Sequence, residues 1–434
     1  MNPADLVAKT TKLGDKARLR GGGDELDLLE MAGDAGILFE RDGVGLACLG
    51  EAMVLDYPRA ADPVAVLRQI RCNDEVGLPG TGPIAIGALP FDPRAQGRLV
   101  VPAVTVGIDE SGTAWRTTVR PRGAGSESGA GSGAGSGAGS GAGSEAGSEA
   151  GSEATTHWPP DRFTLSSPCP HDEWCERVAQ AVSAVTAGRL EKVVLAREVL
   201  VEGNRDFHPS DVLGRLRALY PSCTVFSVGG FVGASPELLI SRRGRTIRSH
   251  PHAGTVARSG DPETDDALIA GLMASPKQRN EHRLAVEAVV EALGPICTRL
   301  GVPAAPSIVL LRNVSHLATL VEGTLNQVDH LPSALELAAR LHPTPAVAGS
   351  PTQAALDLIA EVEGMDRGNY AGPVGWVDSR GDGDWVVGIR SATLRGRTAR
   401  LVAGVGLVTG SDPREELVET QLKLQALLAA VVRP

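Results

Sequence analysis

Aromatic residues are scarce in this sequence, at 3% of its 434 residues, although apolar residues of all kinds make up 42%. A large core must therefore be built mainly from Val, Leu, Ile and Ala. The sequence also lacks an uncharged apolar run of membrane-spanning length, and its N-terminus, MNPADLVAKTTKLGDKARLR, lacks the apolar core of a signal peptide. These absences predict a cytoplasmic protein without a membrane partner.

Metal-binding cysteine patterns and long basic runs are missing as well. The six cysteines form no C-x-x-C pair and follow no zinc-ribbon spacing, which predicts free thiols in a reducing compartment. The formal net charge is −10. Because nucleic acids and anionic membranes attract basic surfaces, this charge argues against both and favours a small-molecule ligand.

One segment contains no residue that could fill a core. Residues 123–154 consist only of Gly, Ala, Ser and Glu. The G-A-G-S period also occurs in silk-like β-stacks, but a single copy that contains glutamates favours a flexible loop. We therefore divide the chain into N-terminal strands in residues 1–122, a low-complexity loop in residues 123–156 and a C-terminal region in residues 157–434. The first and third parts are expected to form one fold.

The order of the predicted elements indicates the fold class. Short strands with Gly and Asp turns precede the loop. After it, the patterns predict a helix over 171–187, strands around 192–200 and 223–241, two long helices around 265–300, and a last helix with Pro413 in its first turn. Strands occur in adjacent runs and not in regular βαβ alternation. This order predicts an α+β fold with large, mostly antiparallel sheets.

The predicted helix SPKQRNEHRLAVEAVVEAL, residues 275–293, carries a charge on its apolar face. Ala285, Val289 and Ala292 recur every three or four residues and form an apolar stripe. Glu281 lies four residues before Ala285 and therefore on the same face. An unpaired carboxylate that faces inward is costly, so Glu281 needs a partner.

Three further positions could carry chemistry, although each also has an ordinary structural interpretation. Lys192 opens a predicted strand, where a lysine is usually solvated; a lysine base must be partly desolvated. Glu237 follows Pro236 at a predicted turn, whereas a general acid requires burial that raises its pKa. Gly254 could let the backbone approach a ligand closely, or could simply form a turn.

The C-terminal stretch AGVGLVTGSDPREELVETQLK has glycines between a strand and a helix. It fails the dinucleotide-binding pattern because Thr409 stands where the third glycine is needed. Glu419 and Lys423 are four residues apart, which is typical of a surface ion pair. Apolar residues surround most of the helix, which predicts its burial and partners for its charges. These residues are Leu417, Val418, Leu422, Leu424, Leu427 and Leu428.

Taken together, residues 157–434 resemble the chorismate-utilising enzymes, a family that contains isochorismate, salicylate, anthranilate and aminodeoxychorismate synthases. The motifs follow the family's order: KVVLAR, GASPELL, AGT, SPKQRNEH, VSHLATLVEGTL, LHPTPAVAGSP, RGNYAGPVGW, IRSA, AGVGLVTGSDP and EELVETQLK. The resemblance implies an anthranilate synthase component I-like fold, with a central β-sandwich flanked by helices. It also implies chorismate as the small-molecule partner and a monomeric enzyme.

The resemblance supplies a partner for Glu281. In the family, glutamates at the positions of Glu281 and Glu419 hold Mg²⁺, which binds the ring carboxylate of chorismate. Magnesium takes oxygen ligands, usually including one or two protein carboxylates. By the same matching, Lys192 deprotonates a water that attacks ring carbon 2, and Glu237 protonates the hydroxyl that leaves carbon 4. Further matching positions are expected to bind the substrate. They are Gly254, Thr255, His316, Thr319, Ala346, Tyr370, Arg390, Gly404 and Lys423.

Three residues favour isochorismate synthase, an isomerase, over its sibling enzymes. Lys192 stands where anthranilate synthases typically have glutamine, and Ala253 stands where aminodeoxychorismate synthases of one type have a nucleophilic lysine. Ala346 stands where salicylate synthases tend to have threonine. The alternatives are a salicylate or anthranilate synthase-like enzyme and a non-catalytic relative, although the latter would be expected to lack the acid, the base or the metal pair. The product would feed siderophore or menaquinone synthesis.

Two residues depart from the family pattern. Gln278 stands where Asp or Asn is common, and His252 stands where leucine is common. Both neighbour functional positions without being ligands themselves, so we expect them to affect fine tuning and not activity as such.

Overall fold

The computed structural model describes residues 2–13, 26–58, 62–123 and 158–432. The predicted flexible loop, residues 123–156, lies outside the described residues apart from Gly123. The N-terminal part contains β1 (Leu6–Lys12), α1 (Leu28–Ala32), β2 (Ile37–Arg41), β3 (Val44–Tyr57), α2 (Pro63–Gln69), β4 (Arg71–Asp74), β5 (Ile84–Ala88), β6 (Gly97–Ile108) and β7 (Ala114–Pro121).

The C-terminal part consists of strands, mostly in runs, that are separated by one or two helices. Its strands are β8 (Phe163–Ser166), β9 (Lys192–Gly203), β10 (Thr224–Val228), β11 (Phe231–Ser235), β12 (Leu238–Arg243), β13 (Thr246–His250), β14 (His252–Ala257), β15 (Cys297–Gly301), β16 (Ser307–Leu310), β17 (Val314–Ala318), β18 (Val321–Leu325), β19 (Gly349–Ser350), β20 (Pro373–Asp378), β21 (Gly383–Val387), β22 (Ser391–Arg395) and β23 (Thr398–Leu407). Its helices are α3 (His171–Thr186), α4 (Pro209–Leu219), α5 (Pro262–Ala274), α6 (Pro276–Leu293), α7 (Ala334–Leu341), α8 (Thr352–Val362) and α9 (Pro413–Val431).

The strands form a large, mostly antiparallel network, as the sequence predicts. Twenty of the described strands belong to one hydrogen-bonded sheet, and β14, β17 and β16 form a separate three-stranded sheet. Within the described residues, the parallel pairing of β1 with β4 is the exception to the antiparallel rule. Strands β2 and β5 pair with β10 and β20. The N-terminal strands thus continue the sheet that the C-terminal part forms.

Faces of this network pack against each other and enclose apolar side chains. One buried cluster brings together Phe39 of β2, Ile86 of β5, Phe226 of β10 and Trp376 of β20. Side chains alternate between the two faces of a strand, so this cluster lies between two layers of sheet. Helices cover the outer faces; Val178 of α3, for example, belongs to another buried cluster.

Helix α6 begins where the sequence predicts and ends earlier. The side chain of Ser275 caps it by accepting the backbone N–H of Gln278. The α-helix stops at Leu293, and a short 3₁₀ turn over Gly294–Ile296 leads into β15. The prediction of helix as far as residue 300 is therefore wrong. Proline at position 295 has no N–H to donate, and the chain resumes as a strand.

Helix α9 follows the predicted start, with Asp412 capping its first N–H groups and Pro413 in its first turn. The prediction that it is buried on nearly all sides is wrong. Leu424 and Leu427 are 3% and 2% exposed, but Val418 is 53% exposed. Apolar side chains on most sides of a helix do not require that neighbouring elements cover all of them. No helix among the described residues is long and apolar enough to cross a membrane.

Candidate active site

A cavity opens where β9, β23, β14 and β17 approach helices α6 and α9. It encloses about 750 Å³ of empty space, part of which is open to solvent. Ten of the thirteen residues that the sequence nominated line it. They are Glu237, Gly254, Thr255, Glu281, His316, Ala346, Tyr370, Arg390, Gly404 and Lys423. Residues from all the motifs that follow the loop therefore meet in one place.

Lys192 and Glu281 form a buried ion pair beside the cavity. The Lys192 side chain, at the start of β9, is fully buried, and its Nζ lies 3.0 Å from Oε1 of Glu281. A Cβ atom on Gly406 would lie 2.5 Å from that oxygen and 2.8 Å from Cε of Lys192, so glycine is required there. Burial raises the pKa of Glu281, but Lys192, Lys423 and Lys277 outweigh it, so the pKa lies below its ordinary value. Glu281 is therefore ionised, and Lys192 is its cationic partner.

Glu237 is a buried carboxyl in the turn between β11 and β12, and it is 3% exposed. Burial raises its pKa to about 8, although the backbone N–H of His252 and the charge of Lys192 act in the opposite direction. A carboxyl group with this pKa keeps its proton at neutral pH. Glu237 can therefore donate a proton into the cavity.

Arg390 also lines the cavity and has a strained backbone conformation, with φ at 51°. Its guanidinium donates to the carbonyl of Lys423 at 3.2 Å and to Nε2 of His316 at 3.2 Å. Among the described residues it forms no ion pair. Lys423 donates from Nζ to the carbonyl oxygen of Gly404 at 3.0 Å and lies 2.7 Å from Oε1 of Glu419. Both cations can therefore meet an anion that enters the cavity.

Gly254 and Thr255 form part of the wall and are held by Gln278. Gly254 has φ at 80°, and a Cβ atom there would lie 3.2 Å from the carbonyl oxygen of Gln278. The backbone N–H of Thr255 donates to Oε1 of Gln278 at 3.1 Å. The Oγ1 atom of Thr255 lies 3.0 Å from Nδ1 of His316. Because Arg390 donates to Nε2 of this histidine, Nδ1 carries the proton in the neutral ring. Gln278, a departure from the family pattern, thus shapes the site.

Three nominated residues do not line the main cavity. Lys192 lies behind the wall at Gly406, as described above. Glu419 lines an adjoining depression together with Thr255 and Lys423. Thr319 is 4% exposed, and its Oγ1 lies 2.7 Å from Nε2 of His282. The hydroxyl of Thr319 is thus occupied by His282, and its role in substrate binding stays a prediction.

Two charged residues near the site were missed by sequence reasoning. Lys277 donates from Nζ to Oε1 of Glu416 at 2.9 Å, and Glu416 is 2% exposed. The charge of Lys277 also acts on Glu419 and Glu281. Helical spacing could have found both, since Lys277 lies four residues before Glu281 and Glu416 lies three residues before Glu419.

The carboxylates around Lys277 fit the requirements of a magnesium ion. Glu281, Glu416 and Glu419 supply oxygen atoms, the ligands that Mg²⁺ prefers, and the metal commonly needs only one or two protein carboxylates. Within the part of the chain that the structure describes, no group of three or more His, Cys, Asp or Glu side chains is close enough to hold a metal alone. Here the carboxylates are paired with lysines. A metal at this position would need further oxygen ligands from substrate or water.

Comparison with known proteins assigns the chain to a family. A family model described as chorismate binding enzyme matches residues 61–432. The chain belongs to the chorismate-binding enzyme family. Because the family binds chorismate, the small-molecule substrate of this protein is chorismate.

Relatives of this chorismate-binding enzyme cover most of its length. A Mycobacterium tuberculosis (strain CDC 1551 / Oshkosh) protein provisionally named isochorismate synthase MenF is 38% identical over 367 residues, which cover 81% of this chain and 87% of that protein. Isochorismate synthase EntC of Escherichia coli (strain K12) is 34% identical over 351 residues and 80% of each chain.

Solved structures share the fold. The menaquinone-specific isochorismate synthase MenF from Escherichia coli superposes with a TM-score of 0.77 at 25% identity, over 99% of this chain and 95% of that one. Anthranilate synthase component I from Streptococcus pneumoniae TIGR4 superposes with a TM-score of 0.62 at 22% identity, over 91% and 92% of the two chains. The second likeness concerns the fold alone. Together they confirm the predicted fold class.

Proposed function

We propose that this protein is an isochorismate synthase, which converts chorismate into isochorismate for siderophore or menaquinone synthesis. Water adds at ring carbon 2, the two ring double bonds shift, and the hydroxyl at carbon 4 leaves as water. One observation carries the proposal. A buried carboxyl that keeps its proton at neutral pH, Glu237, lines the cavity, and a buried lysine, Lys192, lies directly behind the cavity wall, 3.0 Å from Glu281, which also lines it.

Glu237 acts as the general acid. Its proton is available because burial raises the pKa to about 8. Transfer of this proton to the carbon 4 oxygen turns a poor leaving group into water. A positioned proton transfer of this kind contributes about 10² to 10⁴ in rate.

Lys192 acts as the general base. Its ammonium, which is paired with Glu281, first loses a proton to solvent, and the neutral amine then takes a proton from the attacking water as the bond from oxygen to carbon 2 forms. The carboxylate of Glu281, 3.0 Å away, stabilises the ammonium that results. One proton thus enters the site from Glu237 and one leaves to Lys192, so the net charge of the substrate does not change.

Arg390 and Lys423 bind the carboxylates of chorismate. The guanidinium is suited to a carboxylate because its donors form a planar fork. Glu281 and Glu419, with Glu416 beside them, would hold Mg²⁺. When bound, this ion supplies positive charge for the ring carboxylate of the substrate.

Small side chains limit the reaction to this step. Ala253 and Ala346 both line the cavity. A methyl group cannot attack the ring, so Ala253 provides no covalent route of the kind that a lysine at this position offers in one type of aminodeoxychorismate synthase. Ala346 offers no hydroxyl that could assist loss of pyruvate. We infer that isochorismate is released unchanged.

The test is to incubate the purified protein with chorismate and Mg²⁺ and to follow the products by chromatography. Parallel reactions contain ammonium, EDTA or the Lys192→Ala variant. We expect isochorismate, the same product with ammonium present, and no turnover with EDTA or with Lys192→Ala. Salicylate plus pyruvate as the dominant early products, or an ammonium-dependent aminated product, would contradict the proposal. Full turnover with EDTA would contradict the magnesium assignment.

A further inference from the structure

His252 places an unused nitrogen against the cavity. This residue opens β14, is 7% exposed, and lines the cavity wall. Its Nδ1 atom is buried and has no hydrogen-bond partner among the residues that the structure describes. A buried polar atom without a partner costs free energy unless a ligand or water satisfies it.

The other ring nitrogen is held by a neighbouring histidine. Nε2 of His252 lies 3.4 Å from Nδ1 of His250. The two rings meet edge to face, with centroids 4.6 Å apart. Burial holds the pKa of His252 well below the usual value for histidine, and His250 and His316 add to this effect. In the neutral ring, a proton on Nε2 that is donated to His250 leaves Nδ1 as a hydrogen-bond acceptor.

The ring of His252 lies on the same wall as the general acid. The backbone N–H of His252 donates a hydrogen bond to the carboxyl group of Glu237. The ring centroid of His316, whose Nε2 accepts a hydrogen bond from Arg390, lies 6.2 Å from that of His252. His252 is therefore a neighbour both of the proton donor and of the histidine that contacts Arg390.

We propose that His252 is a substrate-binding residue whose Nδ1 accepts a hydrogen bond from the carbon 4 hydroxyl of chorismate. The inference rests on the proposed function, because it names a role in that reaction. The hydroxyl hydrogen points at Nδ1, and a lone pair of the same oxygen is thereby turned toward Glu237. The proton of Glu237 then completes a water molecule as the bond from carbon 4 to oxygen breaks. No proton passes to His252.

A purely structural role does not account for these observations. The resembling family commonly has leucine at this position, so an apolar side chain can fill the space. Histidine adds to that packing one nitrogen bonded to His250 and one that is buried without a partner among the described residues, on a side chain that lines the cavity. The second nitrogen gains a partner only when a hydroxyl or water enters the site.

Two substitutions separate the roles. His252→Leu removes the acceptor and keeps an apolar filling, whereas His252→Asn keeps an acceptor, since Oδ1 of Asn stands as far along the side chain as Nδ1 of His. We expect kcat for isochorismate formation to fall about tenfold in His252→Leu, the loss of one hydrogen bond to a neutral group. We expect kcat of His252→Asn to lie within about threefold of the wild-type value. The melting temperature of His252→Leu should not fall.

The outcomes distinguish this inference from the proposed function. If the unchanged enzyme makes no isochorismate, the proposed function fails and the inference fails with it. If the unchanged enzyme is active and His252→Leu keeps its full kcat, or His252→Asn loses as much as His252→Leu, only the inference is overturned.

A spectroscopic measurement covers the case in which His252→Leu does not fold. The imidazole nitrogens are labelled with ¹⁵N in the Lys192→Ala variant, which binds chorismate without turning it over. Addition of chorismate should shift the Nδ1 resonance of His252, assigned by its loss in His252→Asn. An unchanged resonance at saturating chorismate would overturn the inference.

Discussion

The two ends of the cavity treat charge in opposite ways. At the acid–base end, formed by Lys192, Glu237 and Glu281, charge is balanced within the protein. Lys192 is paired with Glu281, and Glu237 keeps its proton. At the carboxylate-binding end, formed by Arg390 and Lys423, Lys423 is paired with Glu419, but the guanidinium of Arg390 contacts a carbonyl and an imidazole and forms no ion pair among the described residues.

This difference indicates what each end binds. A buried cation without a carboxylate partner is costly, so the carboxylate-binding end is prepared for an anion. A balanced end is suited to neutral groups such as water and a hydroxyl. Chorismate presents carboxylates and a hydroxyl, and the two ends match these groups. Backbone strain is found at the carboxylate-binding end, where Arg390 and Ala371 have φ at 51° and 63°.

Removal of the general acid, Glu237, should have the largest effect on activity and tests the role of the acid–base end. Glu237→Gln keeps the shape of the side chain but cannot donate an acidic proton. We expect kcat for isochorismate formation to fall about 10³-fold, within the range for one positioned proton transfer. The melting temperature should not fall, because the buried group is uncharged in both proteins. Steady-state kinetics and thermal unfolding measure the two quantities.

Glu40→Gln is the matched control for this substitution. Glu40 is a second buried carboxyl, 2% exposed, whose pKa burial also raises, but it lies on β2 and does not line the cavity. Its replacement should leave kcat unchanged. Equal losses of kcat in both variants would mean that burial of a carboxyl, and not its place at the acid–base end, explains the effect.

Replacement of the unpaired cation should have the next largest effect. Arg390→Lys keeps the charge but loses the planar fork of donors. We expect kcat/KM for chorismate to fall about 10- to 100-fold, mainly through KM, since one or two charge-assisted hydrogen bonds are lost. Arg98→Lys, at an exposed pair with Glu51, is the control and should leave kcat/KM unchanged. A fall in kcat alone would show that Arg390 acts in the transition state and not in binding.

The residues that line the cavity could be predicted from the sequence, but the contacts between them could not. Residues such as Gly254, Arg390 and Lys423 could be nominated because each belongs to a short motif that the chain carries whole. The pairing of Lys192 with Glu281 could not be predicted, because it depends on how β9 packs against α6. The inward face of α6 showed only that Glu281 needed a partner. Which cation fills that role is a property of tertiary packing.

Burial was the second property that local patterns could not supply. Glu237 follows a proline at a turn, a position that is usually solvated, and only the surrounding strands bury it to 3% exposure. The opposite error occurred at Val418, whose apolar neighbours on α9 predicted burial. In both cases, the sequence gives the local face of a residue, whereas exposure depends on elements far away in the chain.

The pH profile tests the charge state of the acid–base end. The pKa of Glu237 is raised from 4.5 to about 8, and in the proposed reaction its acid form is the active one. We expect kcat/KM to fall tenfold per pH unit above about 8 in the wild-type enzyme, because kcat/KM reports the ionisation of the free enzyme and the active form is lost. The raised pKa of Glu237 also makes the free energy of unfolding depend on pH. Between these two pKa values the folded protein holds a proton that the unfolded chain releases, so this contribution is full below about 4.5 and is lost as the pH rises to about 8.

A profile without this fall would contradict the assignment of Glu237 as the acid. Glu237→Gln provides the internal control, since its residual activity should lack the loss above about pH 8 that Glu237 causes. Persistence of that loss in the variant would assign it to another group.

Shortening of the low-complexity segment should have the smallest effect on activity and stability. This variant tests whether the two ends of the cavity carry out the reaction without a contribution from the segment. Residues 123–154 contain only Gly, Ala, Ser and Glu, which cannot fill a core. Shortening them to about eight Gly and Ser residues halves the length twice, and each halving changes the closure free energy by only about 0.6 kcal/mol. We expect kcat/KM to stay unchanged and the melting temperature to rise slightly or not at all.

A matched variant that keeps the length but replaces every Glu in the segment with Ser separates the effect of length from the effect of charge. A loss of activity or a large fall in melting temperature in the shortened variant would mean that this segment contacts the folded part of the chain, and the comparison of the two ends would then have to include it.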